Sequence, residues 1–458
     1  MTCGSPVDRG FPPTQGLGGP SDRLPIIPTL KVLLVSPDRV APKMAGPGIR
    51  YVELGRALGK IHEVRLAAPL GSEPVDRGPS VDLYDPRRPG ALTRYFGDAE
   101  VVVGPPLAPG VIRHVTAKGR KWIVDLYNAE PFEGLAHRRD DGLRERLVDL
   151  VRIDRLTFAA RAGAAFICAS ERQRDMWLGL LAANHRLGSG DYRRDPELRH
   201  LIDVVPFGVP SQPAERRGAG LRGTVFPQSA KIMVWNGGVW DWFDPETVLA
   251  ALVLLRERDS SWHLAFSGVG RPSHRAPMAA ADRLREHVDR LGLHAERAVH
   301  LREWTPYEER AAALLDADLG VSAHSVSLEA RFAHRARMLD LVWTRTPILC
   351  SEGDEWSDIV AADGLGEVVR PGDAEALAEA ASRIAARGRA YYGRALEAAA
   401  SARRWDVAAA PLVRLVEATA AGPRRRPDLV GRGVALRHTA ASVLQRAGRE
   451  TRRGLARE

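Results

Sequence analysis

The chain has 458 residues and a mass of 50.0 kDa, enough for two or three domains of ordinary size. Its content of 45% hydrophobic and 27% charged residues is typical of a globular protein, and no uncharged stretch reaches the ~18 apolar residues of a membrane-spanning helix. Cys3, Cys168 and Cys350 are too few for a disulfide framework and lack metal-ligand spacing, so we expect a cytoplasmic protein.

The net charge of +9 is concentrated at the carboxyl end of the chain. Residues 421–458 carry ten arginines against three acids, a net of +7, which leaves only +2 for the other 420 residues. A nearly neutral body argues against a nucleic-acid-binding core. The tail also has apolar residues at helical spacing, which suits an anionic membrane surface at the inner face of the plasma membrane. The open alternative is a helix docked on the body, or a disordered basic tail.

In chain order, residues 1–28 come first and are rich in proline and glycine without periodicity, which predicts disorder. Over residues 29–210, short apolar runs alternate with helical patterns, as in a parallel sheet that helices cover on both faces. The strands predicted for this first domain are 31–36, 62–67, 101–104, 122–126, 164–168 and 202–207.

A polar linker rich in glycine and proline is predicted at residues 211–229, and the alternation restarts over residues 230–395. We predict a closing helix at 396–420 and a basic helical tail at 421–458. The fold class is therefore α/β, with two doubly wound Rossmann-like domains facing across a cleft. Ligands are expected there, at the carboxyl ends of the strands. The strands predicted for the second domain are 232–235, 263–266, 299–301, 319–322 and 347–350.

The loop after the first predicted strand opens a helix and contains Gly46, Gly48 and Arg50. Glycines allow the backbone to approach a ligand closely, and the amino end of a helix favours anions or sugar hydroxyls. The alternative is an ordinary tight turn. Two weaker first-domain candidates are Asp125, an acid at a strand end that we expect to face the cleft, and His137, which follows it. Either of these two could instead be structural.

The loop after the first strand of the second domain holds a glycine pair, Gly237 and Gly238, followed by Asp241 among three tryptophans. Such glycines can admit a phosphate or a sugar, and the acid can accept hydrogen bonds from sugar hydroxyls. An aromatic cluster that packs under the loop is the alternative. Gly268 ends the next strand in a turn that could wrap a nucleotide base or be an ordinary turn.

A charged segment, residues 327–340, follows the strand predicted at 319–322. Arginines suit phosphate oxygens, and acids suit sugar hydroxyls. The alternative is a solvated helix with a pair between Arg337 and Asp340, which share a helical face. The candidate residues of this segment are Glu329, Arg331, Arg335, Arg337 and Asp340.

Taken as an ordered set, these segments resemble family-4 glycosyltransferases of the GT-B fold, particularly bacterial sequences of polysaccharide biosynthesis. The resemblance covers roughly residues 30 to 390, with the linker where a GT-B linker belongs. The similar stretches are residues 44–50, 125–127, 173–175 with 177–179, 205–210, 237–245, 327–340 and 368–378.

The resemblance implies a nucleotide-sugar donor bound mainly by the second domain and a glycan, lipid-linked or small-molecule acceptor bound by the first. It implies retention of configuration, with no metal and no cofactor besides the donor. The family's two acids map to Glu329, a sugar contact, and Asp340, a ribose contact, although ten residues separate them here instead of the usual seven. Arg331, Arg335 or Arg337 would take the phosphate-binding role.

The candidate catalytic residues are thus Glu329 and Asp125. The candidates for donor binding are Gly237, Gly238, Asp241, Gly268, Arg331, Arg335, Arg337 and Asp340, and those for the acceptor side are Gly46, Gly48, Arg50 and His137. Other functions on the same fold stay open: a nucleotide-sugar epimerase, a phosphorylase, or a non-catalytic protein that binds a glycan or a partner through the cleft.

Overall fold

The computed structural model describes residues 28–136, 142–269, 279–423 and 428–455. Residues 1–27 of the segment predicted to be disordered lie outside these ranges. The described chain forms two parallel sheets, which confirms the predicted α/β architecture of two doubly wound domains. No helix within the described ranges is long and apolar enough to cross a membrane.

The first domain is built on a seven-stranded parallel sheet with the order β3-β2-β1-β4-β5-β6-β7. Its strands are β1 (Lys31–Val35), β2 (Glu63–Pro69), β3 (Ser80–Tyr84), β4 (Val101–Gly104), β5 (Lys121–Asp125), β6 (Ala165–Cys168) and β7 (Ile202–Val204). Its helices are α1 (Gly46–Leu58), α2 (Pro109–Ala117), α3 (Glu130–Ala136), α4 (Leu143–Ala162), α5 (Glu171–Ala183) and α6 (Ser189–Arg194), and Pro89–Tyr95 forms a 3-10 turn.

The second domain is built on a six-stranded parallel sheet with the order β10-β9-β8-β11-β12-β13. Its strands are β8 (Lys231–Asn236), β9 (Trp262–Ser267), β10 (Val299–Arg302), β11 (Leu319–Ser322), β12 (Ile348–Ser351) and β13 (Gly366–Val369). Its helices are α7 (Pro245–Arg258), α8 (Ala279–Arg290), α9 (Ala311–Asp316), α10 (Leu328–Phe332), α11 (Arg337–Trp343), α12 (Glu355–Asp363) and α13 (Ala374–Arg387), and Tyr307–Glu309 forms a 3-10 turn.

Two strands lie outside the predicted set, β3 and β13, and each is at the edge of its sheet. Edge strands bury less of their surface than central ones, and both of these have mostly partly exposed positions. They therefore lack the continuous apolar run that identifies a fully buried strand such as β1.

In the segment predicted as one closing helix, the chain passes from the second domain back to the first. The segment comprises the end of α14 (Arg389–Ala402), then α15 (Trp405–Ala408) and α16 (Ala410–Ala421). The backbone N–H of Trp405 donates to the carbonyl of Val209, at the end of the first domain, and α16 packs on the sheet of that domain. The carboxyl end of the chain therefore ties the second domain back to the first.

Within the basic tail, residues Leu429–Leu455 form one long helix, α17, which docks along α4 of the first domain. Arg437 makes a bidentate pair with the fully buried Asp154, while Val434 and Ala435 join the hydrophobic core. This contact agrees with the alternative in which the tail is a helix docked on the body of the protein. The apolar residues at helical spacing in the tail do not take part in this contact. Leu436, Val443 and Leu444 are exposed on the surface of α17.

Candidate active site

The two domains enclose a cavity of about 330 Å³. Its walls come from the loops after β1, β5, β8 and β9, together with α10, α11 and the turn between them. These loops follow the carboxyl ends of the strands, where ligands bind in open α/β sheets, so the cleft lies where it was predicted. The predicted site residues that line the cavity are Gly46, Gly237, Gly238, Gly268, Glu329, Arg335, Arg337 and Asp340.

The glycines of the second domain bring two loops close together. Gly237 and Gly268 both adopt positive φ, +87° and +101°, which side chains disfavour. A Cβ on Gly268 would lie 3.1 Å from the backbone carbon of Gly237. The two loops therefore meet backbone to backbone, and no side chain from either glycine takes up space in the cavity that they line.

The glycines at the amino end of α1 have two different uses. A Cβ on Gly46 would meet only Phe207, at 3.9 Å, so Gly46 opens onto the cavity. A Cβ on Gly48 would lie 2.5 Å from the carbonyl oxygen of Arg39, so Gly48 serves the packing of α1 against the preceding loop. Gly48 does not line the cavity.

Arg337 brings an incompletely satisfied positive charge to the cavity wall. Its guanidinium lies over the ring of Phe243, 4.0 Å from the centroid, and donates to the carbonyl of Gly238. Its Nη1 is buried without a hydrogen-bond partner in the described part of the chain. Burial, and then the nearby Arg335 charge, lower the pKa of Arg337 to about 9. The side chain is therefore placed to gain from a bound anion.

Glu329 takes part in a buried chain of charges. Its two carboxylate oxygens accept hydrogen bonds from Arg335 Nη1 and Nη2 at 2.9 and 2.8 Å. On its other side, Arg335 Nε lies 3.5 Å from Asp354, and His324 lies 3.5 Å from the same carboxylate. Burial acts to raise the pKa of Asp354, but His324 and Arg335 outweigh it and lower that pKa. The chain fixes the Glu329 carboxylate at the cavity wall.

Asp340 is held by residues other than Arg337, so the alternative of a pair between these two residues does not describe the structure. Asn236 donates to Asp340 Oδ2 at 3.1 Å, and Arg310 Nε donates to Oδ1 at 2.8 Å. The guanidinium of Arg310 stacks on Tyr307, 3.7 Å from the ring centroid. The charged segment is also two short helices, α10 and α11, instead of one, because residues 333–336 interrupt it.

Asp125 does not face the cavity, which corrects the expectation from its place at a strand end. Arg50 Nε and Nη2 donate to its two oxygens at 2.7 and 3.0 Å, and both side chains are fully buried. The guanidinium of Arg50 lies between Tyr127 and Phe207, which do line the cavity. The pair therefore supports the wall from behind, and we reassign Asp125 and Arg50 from direct contact to this role.

Two donor-side candidates also lie away from the cavity. Asp241 accepts from the backbone N–H of Ala280 at 3.1 Å, in the first turn of α8. Arg331 is exposed and lies over the ring of Phe332. Both residues were predicted to bind the donor because they are charged and lie in segments near the cleft. The sequence does not show towards which side of its segment each side chain points. His137 falls outside the described residues.

Several cavity residues were not singled out in the sequence. Glu133 on α3, Trp304, Arg310 and His334 all line the walls. His334 Nδ1 lies 3.0 Å from Glu355. Only Glu133 has a recognisable signal in the sequence, because it is an acid in the first helix after a strand, β5. In the described ranges, no group of three or more His, Cys, Asp and Glu side chains is arranged to hold a metal ion.

Comparison with known proteins finds no matching family model and no curated relative. Solved structures do match. Sucrose-phosphate synthase from Thermosynechococcus elongatus aligns with a TM-score of 0.55 at 16% identity, over 84% of this chain and 98% of that one. Anabaena HepE in complex with UDP and glucose aligns with a TM-score of 0.61 at 12% identity, over the same shares.

WaaG, a glycosyltransferase involved in lipopolysaccharide biosynthesis, aligns with a TM-score of 0.54 at 16% identity, over 84% of this chain and 98% of that one. At these identities the likeness concerns the arrangement of the two sheets and the cleft between them. The chain therefore has the GT-B fold that these glycosyltransferases share.

Proposed function

We propose that this protein is a glycosyltransferase that moves a sugar from a nucleoside-diphosphate sugar to a hydroxyl of a glycan or lipid-linked acceptor. The observation that carries the proposal is Arg337, a buried guanidinium at the cavity wall whose Nη1 has no partner in the described residues. A diphosphate bound there would complete its hydrogen bonds. HepE, which has the same fold, was solved with UDP and with UDP-glucose, which supports a donor of this class.

The chemistry follows from the charge that develops on the leaving group. The bond between the sugar C1 and the diphosphate oxygen breaks, and a bond from C1 to the acceptor oxygen forms on the same face. The acceptor proton passes to the departing phosphate. Arg337 and the amino end of α1 can stabilise the growing negative charge without a metal. We therefore propose a retaining, metal-independent transfer.

A thermal-shift titration with UDP, ADP and GDP, each with and without EDTA, tests donor binding. A ligand that binds only the native state must raise the melting temperature. We expect one diphosphate to raise it equally in both conditions. NMR of the glycosylated product would then report the anomeric configuration. No shift with any diphosphate at millimolar concentration contradicts the proposal, and a shift that EDTA abolishes contradicts its metal independence.

A non-catalytic binding protein is the second candidate, and one observation favours it. Glu329, the acid that the family resemblance assigns to the donor sugar, already accepts a hydrogen bond from Arg335 on each of its oxygens. Donor binding without transfer to any acceptor would support this reading. Release of the diphosphate from a bound nucleotide sugar together with a glycosylated product would exclude it.

For the acceptor, we propose a lipid-linked molecule presented at the inner face of the plasma membrane. Leu436, Val443 and Leu444 of α17 form an exposed apolar row, within a segment of net charge +7. Apolar side chains beside basic residues suit an anionic bilayer. The full chain should sediment with vesicles containing anionic lipid, and a variant with all three residues changed to Ser should not. Equal, negligible sedimentation of both would contradict the membrane proposal.

A further inference from the structure

Glu133 is a carboxyl on the first-domain wall of the cavity that the scheme above does not use. It belongs to α3, the short helix that follows the loop after β5, and α3 packs against α10 of the second domain. The neighbouring Phe132 stacks on Phe332, with ring centroids 5.3 Å apart and planes 14° from parallel. This stacking fixes α3 across the domain interface, so Glu133 and Glu329 line one cavity from opposite domains.

The surroundings of Glu133 favour its neutral form. Burial, then the negative charges of Glu329 on α10 and of Glu130 on its own helix, raise the pKa of Glu133 to about 8. Arg335 and Arg152 act in the opposite direction. These two cations are engaged elsewhere, however, because Arg335 forks onto Glu329 and Arg152 pairs with Asp149.

Glu133 and Glu329 therefore differ in what they offer a ligand. Each oxygen of Glu329 accepts one hydrogen bond from Arg335 and keeps a second lone pair, with which it can accept from a ligand. A protonated Glu133 carries an O–H that can donate. One donor and one acceptor on opposite walls match the hydroxyls of a sugar ring, each of which both donates and accepts. A neutral carboxyl also avoids adding a negative charge beside a bound diphosphate.

We propose that Glu133 is a sugar-binding residue, whose carboxyl O–H donates a hydrogen bond to a hydroxyl of the transferred sugar, opposite Glu329. This inference rests on the proposed function and extends it, because it assigns to the first domain a contact with the donor sugar. It also specifies the ligand as a sugar with free ring hydroxyls, such as a hexose. The contact does not involve the nucleoside diphosphate.

The test separates the sugar from the diphosphate. Affinities are measured by titration calorimetry for three matched pairs: UDP and UDP-glucose, ADP and ADP-glucose, GDP and GDP-glucose. The ratio of the two affinities within a pair gives the gain due to the sugar. Glu133→Ala should reduce this gain about 5- to 10-fold, as expected for one lost hydrogen bond, and leave the diphosphate affinity unchanged. Glu133→Gln should keep the gain, because an amide N–H also donates.

The pH dependence provides a second readout that a purely structural role would not change. In the native protein, the gain due to the sugar should fall as the pH rises through about 8, where Glu133 loses its proton. It should stay constant in Glu133→Gln. Glu130→Gln is the matched control: Glu130 lies on the same helix but outside the cavity and pairs with Arg155, so the gain should not change at pH 6, where Glu133 keeps its proton even without the Glu130 charge.

Two results would overturn the role of Glu133 alone: diphosphate binding with the same gain in the native protein and in Glu133→Ala, or a Glu133→Gln variant as impaired as Glu133→Ala. The second result would mean that the ionised carboxylate is the working form. Failure of all three diphosphates to bind would instead overturn the proposed function, and this inference with it. Melting curves of both variants confirm that they are folded.

Discussion

Replacing Arg337 by Met should have opposite effects on ligand binding and on stability. The guanidinium is buried between Phe243 and Trp235 and lies near the positive Arg335. The free energy needed to remove this charge from water therefore lowers the stability of the folded protein even before a ligand binds. A bound diphosphate benefits from this charge. The unliganded protein gains little from it, because Nη1 has no hydrogen-bond partner in the described structure.

The size of both effects follows from the surroundings of Arg337. Two unit charges 4 Å apart attract by about 4 kcal/mol at an effective dielectric constant of 20, and truncating one partner of a buried charge pair costs about 2–5 kcal/mol. Arg337→Met should therefore weaken diphosphate binding roughly 30- to 4,000-fold. Without ligand, loss of a disfavoured buried charge should raise the free energy of unfolding by about 1–3 kcal/mol.

Titration calorimetry with UDP, ADP and GDP measures the first effect, and urea unfolding without ligand measures the second. The matched control is Arg331→Met, in the same charged segment but exposed and outside the cavity, which should change neither quantity. A variant Arg337→Met that binds the diphosphate as tightly as the native protein would refute the assignment. A large loss of stability in that variant would refute the view that the charge is unsatisfied.

Three further changes have defined outcomes. Asp125→Asn should lower the free energy of unfolding by about 3–5 kcal/mol in urea, because it leaves the charge of Arg50 buried and uncompensated; an unchanged stability contradicts this. Gly268→Ala should lower it by about 1–3 kcal/mol, since φ is +101° and Gly237 is 3.1 Å from the new Cβ. In the folded state the pKa of Glu133 lies above its ordinary value, so the native protein should lose stability as pH rises from about 4.5 to about 8. Melting curves recorded across this pH range should show a falling melting temperature, and Glu133→Gln should lack the part of the fall that is due to Glu133.

The sequence was sufficient to predict the architecture because its strongest signals are those of buried strands. Central strands such as β1 and β4 are continuous apolar runs, and their positions were predicted closely. The edge strands β3 and β13 and the domain crossing at Trp405 were not predicted, because they depend on contacts between distant segments. Periodicity along the chain cannot reveal such contacts.

The candidate site was predictable in position but only partly in its residues. The glycine loops and the charged segment lie at the cleft because parallel strands all present their carboxyl ends to one edge. Which acid or arginine enters the cavity depends on pairings across the fold, such as that of Arg50 with Asp125 over 75 residues. For the same reason, Glu133 is significant only once α3 is seen to pack against α10.

We propose that the cleft binds a nucleoside-diphosphate sugar through Arg337. A crystal structure of the protein with its preferred nucleoside diphosphate would show the contact itself. We expect the diphosphate within hydrogen-bond distance of Arg337 Nη1, near the backbone of Gly237 and Gly238. A nucleotide bound outside the cavity, or one bound in it with Nη1 of Arg337 still unpartnered, would refute this role of Arg337.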